Sequence, residues 1–509
     1  MIRLSKIAYI WVLICLAPVY TYAQNFNNIF DIDSSNNIGN DIFLEQDGSF
    51  IILGDKLKEF NSFSAIKVNA SGDAIINENS FAIDSASPYT GYVARKKKLS
   101  SGGFLTPFTV VWRRLLVNAE SGGYAILDID GKVVEHHEYN NDTSNYVTEI
   151  FDCVLLPKGG YLCGGVSVKL STFFSTAILI RTDDTGKLLW QKSYPYLGFQ
   201  THISSLQLID ANTILAGGSL DEQRVIKSNR VFWGRPRFLK LDINGNILKD
   251  TAFIKDYAGI GKMGNGNIFK DNNGGYYHYG QLEKIYDSSH VDWAENFPDY
   301  LMHLDDSFKI DWVTKFEDSP GHKYIWTVKQ LRDYSYLVFS TTINDNGHWG
   351  WAAKVSTNGV ILWDQQYYHD SAGPNCLTDA IELSDGSIVF TGYAADYSLP
   401  RWHAYDLWML KVDANGCEIP GCIPTKVNTS ISMGNITIYP NPANDRITIE
   451  GLTKGNKIQL IDFIGRYIYA TVAKKGSETI GMNAFNTGSY IIVITNNDGQ
   501  RLIRKIVKQ

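Results

Sequence analysis

Three features of the 509-residue sequence predict an all-β fold. Aromatic residues reach 13%, there are 44 glycines, and one strand–turn–strand pattern recurs through most of the chain. Aromatic side chains suit a pleated, half-buried surface, and glycine supplies the positive φ that tight turns require. With 44% hydrophobic and 20% charged residues the chain is globular, and its length calls for several cores or one large repetitive one.

The recurring pattern is an apolar strand, an Asp/Asn/Ser-x-x-Gly turn and a second strand. It reads Ile66–Gly72, Ile126–Gly131, Ile180–Gly186, Leu239–Gly245, Lys354–Gly359 and Lys411–Gly416, with a degenerate copy at His303–Phe308. From Gly72 to Gly416 the period is about 57 residues, long enough for a four-stranded unit. A second glycine hairpin precedes several copies, as at Phe43–Ile51, Val154–Tyr161 and Ile381–Ile388. Two hairpins per period make a four-stranded meander, and seven such meanders suit a seven-bladed β-propeller, which leaves only short protected edges. The last copy lacks a fourth strand, so Phe26 to Asp33 is expected to supply it. Eight blades, or two separate sheets, is the competing arrangement.

The formal charge of −6 divides unevenly. Residues 435–509 hold 10 basic against 5 acidic residues, whereas 24–434 hold 35 against 48. An acidic body repels phosphate backbones, which argues against nucleic acid as a partner. Residues 1–23 read as a cleaved signal peptide. Arg3 and Lys6 precede an apolar run from Ile7 to Val19 that is too short to span a bilayer, and Thr21-Tyr22-Ala23 makes a cleavage site. Export favours disulfides. Cys417 and Cys422 are spaced to staple a loop, Cys153 and Cys163 flank one hairpin, and Cys376 has no evident mate.

The Thr185-Gly186-Lys187-Leu188-Leu189-Trp190 segment resembles a blade of quinoprotein-type propellers, where a Trp four residues after the glycine packs between blades. Trp363 and Trp312 hold the same position after Gly359 and Phe308. They are read as packing residues, with no cofactor expected. Thr182-x-Asp184-x-Gly186 also approaches the Asp-box turn of sialidases, but its aromatic residue comes one place later. No nucleophile elbow, zinc-binding helix or phosphate loop is present, and the Asx-rich turns lack the last carboxylate of a calcium loop. His136 and His137 are read as surface residues on an outer strand.

After a polar linker at 425–434 the composition changes. Tyr439-Pro440-Asn441-Pro442-Ala443, an Asp462-x-x-Gly465 turn, Gly488-x-Tyr490, Asn497-x-Gly499 and a basic end with Lys505 and Lys508 follow in order. Residues 435–509 thereby resemble the type A C-terminal sorting domain of type IX secretion. The resemblance implies an immunoglobulin-like sandwich, recognition by the type IX secretion machinery, proteolytic removal, and release or attachment to surface lipopolysaccharide. It also implies a secreted protein, or one on the outer surface of a Gram-negative bacterium.

Within the body, 24–424, the links between second and third strands are long at Leu220–Pro236, Gln281–Tyr300, Ile343–Gly350 and Ala394–Asp406. In a propeller these links share one face, and long loops on a rigid scaffold tend to be functional. They carry Arg230, Trp233, Trp293, His348, Trp349, Arg401 and Trp402, residue types enriched at binding hot spots. The expected function is a non-catalytic glycan- or protein-binding module. A glycan hydrolase or lyase using Glu283, Asp287, Asp292, Glu295, Asp396 or Asp406 is the alternative. A structural surface-layer or gliding component is the third.

Overall fold

The computed structural model describes residues 25–509 apart from 33–35, 58–61, 83–85, 90–94, 115–116, 140–144, 227–228, 254–266, 282–298, 317–321, 345–346, 370–373, 396–404, 420–435, 463–466 and 496–500. The expected signal peptide therefore lies outside the described residues, which contain strands and turns and no helix.

Among the described residues the body is a succession of seven antiparallel sheets, the first six with their strands in chain order. The first is Asn36–Leu44, Phe50–Leu57, Ser62–Val68 and Ile75–Phe81. The third spans Tyr146 to Ser193, the fourth Gln200 to Ala252, the fifth Ile268 to Lys315 and the sixth His322 to Tyr367. The second has five strands, because Ala86–Tyr89 and Lys97–Lys98 both pair with Phe104–Arg114. The seventh takes three strands from Asn375 to Val412 and its outermost from the N-terminus. Asn27–Phe30 pairs antiparallel with Leu407–Leu410, as the missing fourth strand requires. Each sheet packs on the next, and Asn36–Leu44 packs on the seventh, so the succession closes on itself. Cores shared between neighbouring sheets run around the ring, among them Leu162, Leu179, Ile214 and Leu239, or Phe339, Trp363, Phe390 and Trp408.

A bulge recurs in the innermost strands, between Gly39 and Asp41, Ile150 and Asp152, Ile203 and Ser205, Ile325 and Thr327, and Leu377 and Asp379. The facing second-strand residue is glycine at 54, 165, 218 and 392, because a Cβ there would sit within 2 Å of a bulge carbonyl. A bulge re-aims the next side chain. Asp379 Oδ2 accepts from Ile42 N at 3.1 Å, Asp152 Oδ2 from Leu206 N at 2.7 Å, and Ser205 Oγ from Ile268 N at 3.1 Å. Each of these bonds ties one sheet to the next at the inner edge.

The outer edge has its own repeated contact. Trp190, Trp312 and Trp363 lie on the turn glycines of the following sheets, Gly245, Gly359 and Gly416, where a Cβ would come within 2.6–2.8 Å of the indole. Those glycines need positive φ in any case, at 76°, 80° and 77°. Tyr194 and Tyr367 donate hydroxyl hydrogens to the carbonyls of Gly245 and Gly416 at 2.7 and 2.9 Å. At the ring closure Phe26 packs on Gly72, and Asn28 donates to its carbonyl at 2.6 Å. The tryptophans are packing residues, as expected. The reading of His137 as a free surface residue is corrected, since it packs on Gly186 and Tyr124 and pairs with Glu135. His136 stays exposed beside Phe81.

Cys153 and Cys163 face each other across the first two strands of the third sheet and form a disulfide. Cys417 is disulfide-bonded as well, while Cys422 lies outside the described residues. Cys376 is a buried free thiol that burial pushes up to about 12. In the fifth sheet His278 is buried, with Nδ1 2.9 Å from the Asn267 carbonyl and Nε2 2.8 Å from the Tyr300 hydroxyl. A neutral ring satisfies both contacts, donating at Nδ1 and accepting at Nε2. Burial lowers His278 to about 4. The unfolded chain then takes up a proton between pH 6.5 and 4 that the native state refuses, so stability falls with pH across that window. His278→Gln is expected to remove up to about 3 kcal/mol of the loss between pH 7 and 4, read from urea midpoints. Equal pH slopes for the two proteins would refute this.

The C-terminal domain has two sheets, Thr437–Tyr439, Arg446–Glu450 and Ser477–Gly481 against Lys457–Asp462, Tyr467–Val472, Gly488–Thr495 and Arg501–Lys508. Ile447, Ile449, Ile458, Leu460, Ile480, Ile492, Ile494 and Ile506 fill the space between them.

Candidate functional site

Consecutive strand order puts the second-to-third links of every sheet at one end and the glycine turns at the other. Two of the four expected long loops are corrected: they are paired strands. Leu220–Pro236 is the distal part of a ribbon formed by Thr213–Ile226 and Asn229–Asp242, with Trp233 opposite Glu222 and Arg230 opposite Val225. Its run of Val, Ile, Phe and Trp favours extended pairing over a loop. Among the described residues the inner strand pairs as far as Asp221 and the outer strand up to Arg237, so Glu222–Ile226 and Asn229–Trp233 have only each other as strand partners there.

Ile343–Gly350 is likewise a strand pair, with His348 opposite Ile343 and Trp349 opposite Thr342. Both side chains are half-buried, and burial lowers the His348 imidazole. Neighbours on a strand point to opposite faces, so His348 and Trp349 do not share one surface. Trp293, Arg401 and Trp402 lie outside the described residues, as do Glu283, Asp287, Asp292, Glu295 and Asp396. Asp406 is no loop carboxylate: it is 4% exposed within the strand Tyr405–Val412. Among the described residues no three His, Cys, Asp or Glu side chains are grouped to hold a metal ion.

A cluster that the sequence reading missed lies where the inner strands converge. Arg95-Lys96-Lys97-Lys98 leaves the inner edge of the second sheet and contacts five others, which four residues manage only near the ring axis. The Arg95 amide donates to Phe151 O of the third sheet at 3.0 Å. Its guanidinium donates to Thr327 Oγ1 at 2.6 Å and to the Tyr279 hydroxyl, and stacks 4.8 Å from the Phe269 ring. Lys96 pairs with Asp41 at 3.1 Å, Lys97 with Asp152 at 2.7 Å and Lys98 with Glu45 at 2.6 Å. Lys97 also donates to the Leu206 carbonyl at 2.9 Å, and Lys329 pairs with Asp379 at 2.9 Å.

Burial would lower the Arg95 guanidinium, but Tyr279 and the carboxylates of Asp41, Asp152 and Asp379 outweigh it and hold it raised. Burial lowers Lys97 and raises Asp152, and each charge pulls the other back toward its ionised form. Burial also raises Asp379 against the opposing charge of Lys329. A run of four basic residues in an acidic body was the available sequence signal. Such runs are ordinarily solvated, and only the ring brings carboxylates from several sheets around this one.

In the C-terminal domain the motif residues tie the two ends of the fold together. Asn441 Nδ2 donates to the Lys505 carbonyl at 2.7 Å, and its Oδ1 accepts from Val507 N at 2.9 Å. Ala443 N bonds Val507 O at 2.7 Å, and Gln509 N bonds Ala443 O at 2.9 Å. Tyr439 donates to Glu450 Oε1 at 2.5 Å, and the peptides before Pro440 and Pro442 are cis. Buried Tyr490 donates to the Asn486 carbonyl at 2.5 Å, two residues before Gly488. Lys505 is exposed, and Gly465 lies outside the described residues.

No curated protein matches the chain. Among solved structures, the β-propeller domain of the Trilobed protease from Pyrococcus furiosus is similar over 78% of this chain and 100% of its own, at 10% identity and TM-score 0.40. PorZ, an essential bacterial surface component of the type-IX secretion system of Porphyromonas gingivalis, aligns over 95% and 100% at 9% identity and TM-score 0.16. The polysaccharide lyase Uly1 aligns over 74% and 90% at 8% identity and TM-score 0.40. The body's own order of successive antiparallel sheets is propeller-like. Residues 437–509 match the family described as secretion system C-terminal sorting domain. The chain thus ends in a type IX secretion sorting domain, carried by an all-β, propeller-like body.

Proposed function

We propose that the protein is a seven-bladed binding propeller, exported by type IX secretion and acting in the medium or at the cell surface on a glycan or a protein. The sorting domain, an immunoglobulin-like sandwich in this reading, supplies the address and is removed after export. The observation that carries the binding reading is the ribbon Glu222–Trp233 on the fourth sheet, which extends past both strands that flank it. A lone two-stranded ribbon is marginal in water, and this one carries Arg224, Arg230 and Trp233. A partner lying across it would supply the missing third surface.

Material from the native host, measured by intact mass, is expected to begin at Gln24 and to lack Tyr439–Gln509. That species is then applied to a glycan array and a hydrolysis panel, with a Trp233→Ala variant alongside. Binding weakened by about 2 kcal/mol or more, with an unchanged melting temperature, supports the ribbon as recognition surface. Undiminished binding overturns it, and turnover of a glycan favours the hydrolase or lyase reading.

A further inference from the structure

The sorting domain buries an apolar surface that its own two-layer core does not need. In Gly488–Thr495, Tyr490, Ile492 and Ile494 point into the sandwich, which leaves Ile491 and Val493 on the opposite face by strand alternation. Both are nevertheless buried, at 8% and 0% exposure, together with Ile461 of the adjacent strand. What covers them is the sixth sheet of the body: Val360, with Leu362 beside it, completes the same cluster.

The body is adapted to this contact at one position of its repeat. The residue after each turn glycine, or after Phe308 in the degenerate copy, is Asp73, Lys132, Lys187, Asn246, Lys309, Val360 and Cys417 in turn. The first five are polar and exposed, Cys417 is in a disulfide, and only Val360 is an aliphatic residue. The turn does not require a valine. Lys132, Lys187, Asn246 and Lys309 offer the same backbone N–H to the first side chain of the turn that Val360 offers to Ser356. Two residues further on, Ile75, Val134, Leu189 and Leu248 are exposed, at 37–62%, whereas Leu362 is half-buried. The rim position covered by the sorting domain is therefore the one whose sequence departs from its repeats.

We propose that Ile461, Ile491 and Val493 form a docking face by which the sorting domain is held on the sixth sheet of its own body. The face becomes available to another partner only when that contact opens. The inference is independent of what the ribbon binds. It predicts that the secretion machinery, or cleavage of the 420–435 connection, must displace this contact before that side of the sorting domain can be used.

The test uses the chain from Gln24 to Gln509, with the sorting domain still attached, and hydroxyl-radical footprinting read by mass spectrometry. Val360→Lys installs the residue that three other copies hold, so the sixth sheet is expected to keep its melting transition. Labelling of Ile461, Ile491 and Val493 is expected to rise several-fold, while that of Ile447 and Ile480 in the domain core stays low. Leu362→Asp should act in the same direction. If the three residues are labelled as fast in the parent chain as in Val360→Lys, the docking face is not occupied by the body and the proposal fails. Protection that disappears on dilution, with a dimer in sedimentation equilibrium, assigns the face to a second copy and equally overturns it.

Discussion

Trp363→Ala is expected to lower the unfolding free energy of the body by about 3–5 kcal/mol, the usual cost of truncating a buried Trp to Ala. The indole is 4% exposed and rests on Gly416 of the next sheet, within the core that also holds Trp408, Phe390 and Tyr367. Its loss leaves a void at the contact between the last two sheets, beside the strand supplied by the N-terminus. The collar around Gly416 has little freedom to collapse, because its φ of 77° is set by the turn and its carbonyl is held by the Tyr367 hydroxyl. Gly416→Ala would probe the same contact from the other side, placing a methyl about 2.8 Å from the ring. Urea unfolding followed by tryptophan fluorescence measures both. A loss below 1 kcal/mol for Trp363→Ala would mean that the outer-edge contact does not hold the sheets together.

The second large effect lies at the axis. Asp152→Ala is expected to cost about 3 kcal/mol, toward the low end for a broken buried pair because Lys97 keeps 33% of its side-chain exposure and part of its solvation. The carboxylate serves three sheets at once, accepting from Leu206 N of the fourth, pairing with Lys97 of the second and belonging itself to the third. Asp152→Asn preserves the shape and an acceptor for Leu206 N, so it should lose less. Adding Lys97→Met to Asp152→Ala is expected to recover part of the loss, since the unpaired ammonium is then gone, and the departure from additivity measures the pair. Additive single and double variants would show that the cluster is a solvated coincidence of charge.

Much of the architecture was legible in local sequence. The Asx-x-x-Gly turns, recurring about every 57 residues from Gly72 to Gly416, specify hairpins by backbone chemistry alone, and the absent fourth strand after Gly416 pointed to the N-terminal strand. The Trp spacing after Gly186 and Gly359 announced an inter-sheet contact, because a turn fixes where its next residues project. The order Tyr439-Pro440-Asn441-Pro442 identified the sorting domain, although only the structure gave Asn441 its work of clamping the final strand. The segments Leu220–Pro236 and Ile343–Gly350 read as loops because each centres on a short polar run, Lys227-Ser228-Asn229 and Asn344-Asp345-Asn346-Gly347, whereas their pairing depends on the partner strand.

The sequence by itself determined the all-β class, the repeat and the sorting address, since each depends on residues within a few positions of one another. The tertiary structure decided which charges are buried and which apolar residues are covered. Arg95 to Lys98 lie far along the chain from Asp379, Tyr279 and Thr327, and they meet only because closing the ring brings the inner strands to a common axis. Val360 and Val493 are separated by more than two sheets of sequence, and neither carries a local signal that the other will cover it. Contacts of that kind depend on shape and distance after folding, and a linear pattern holds neither.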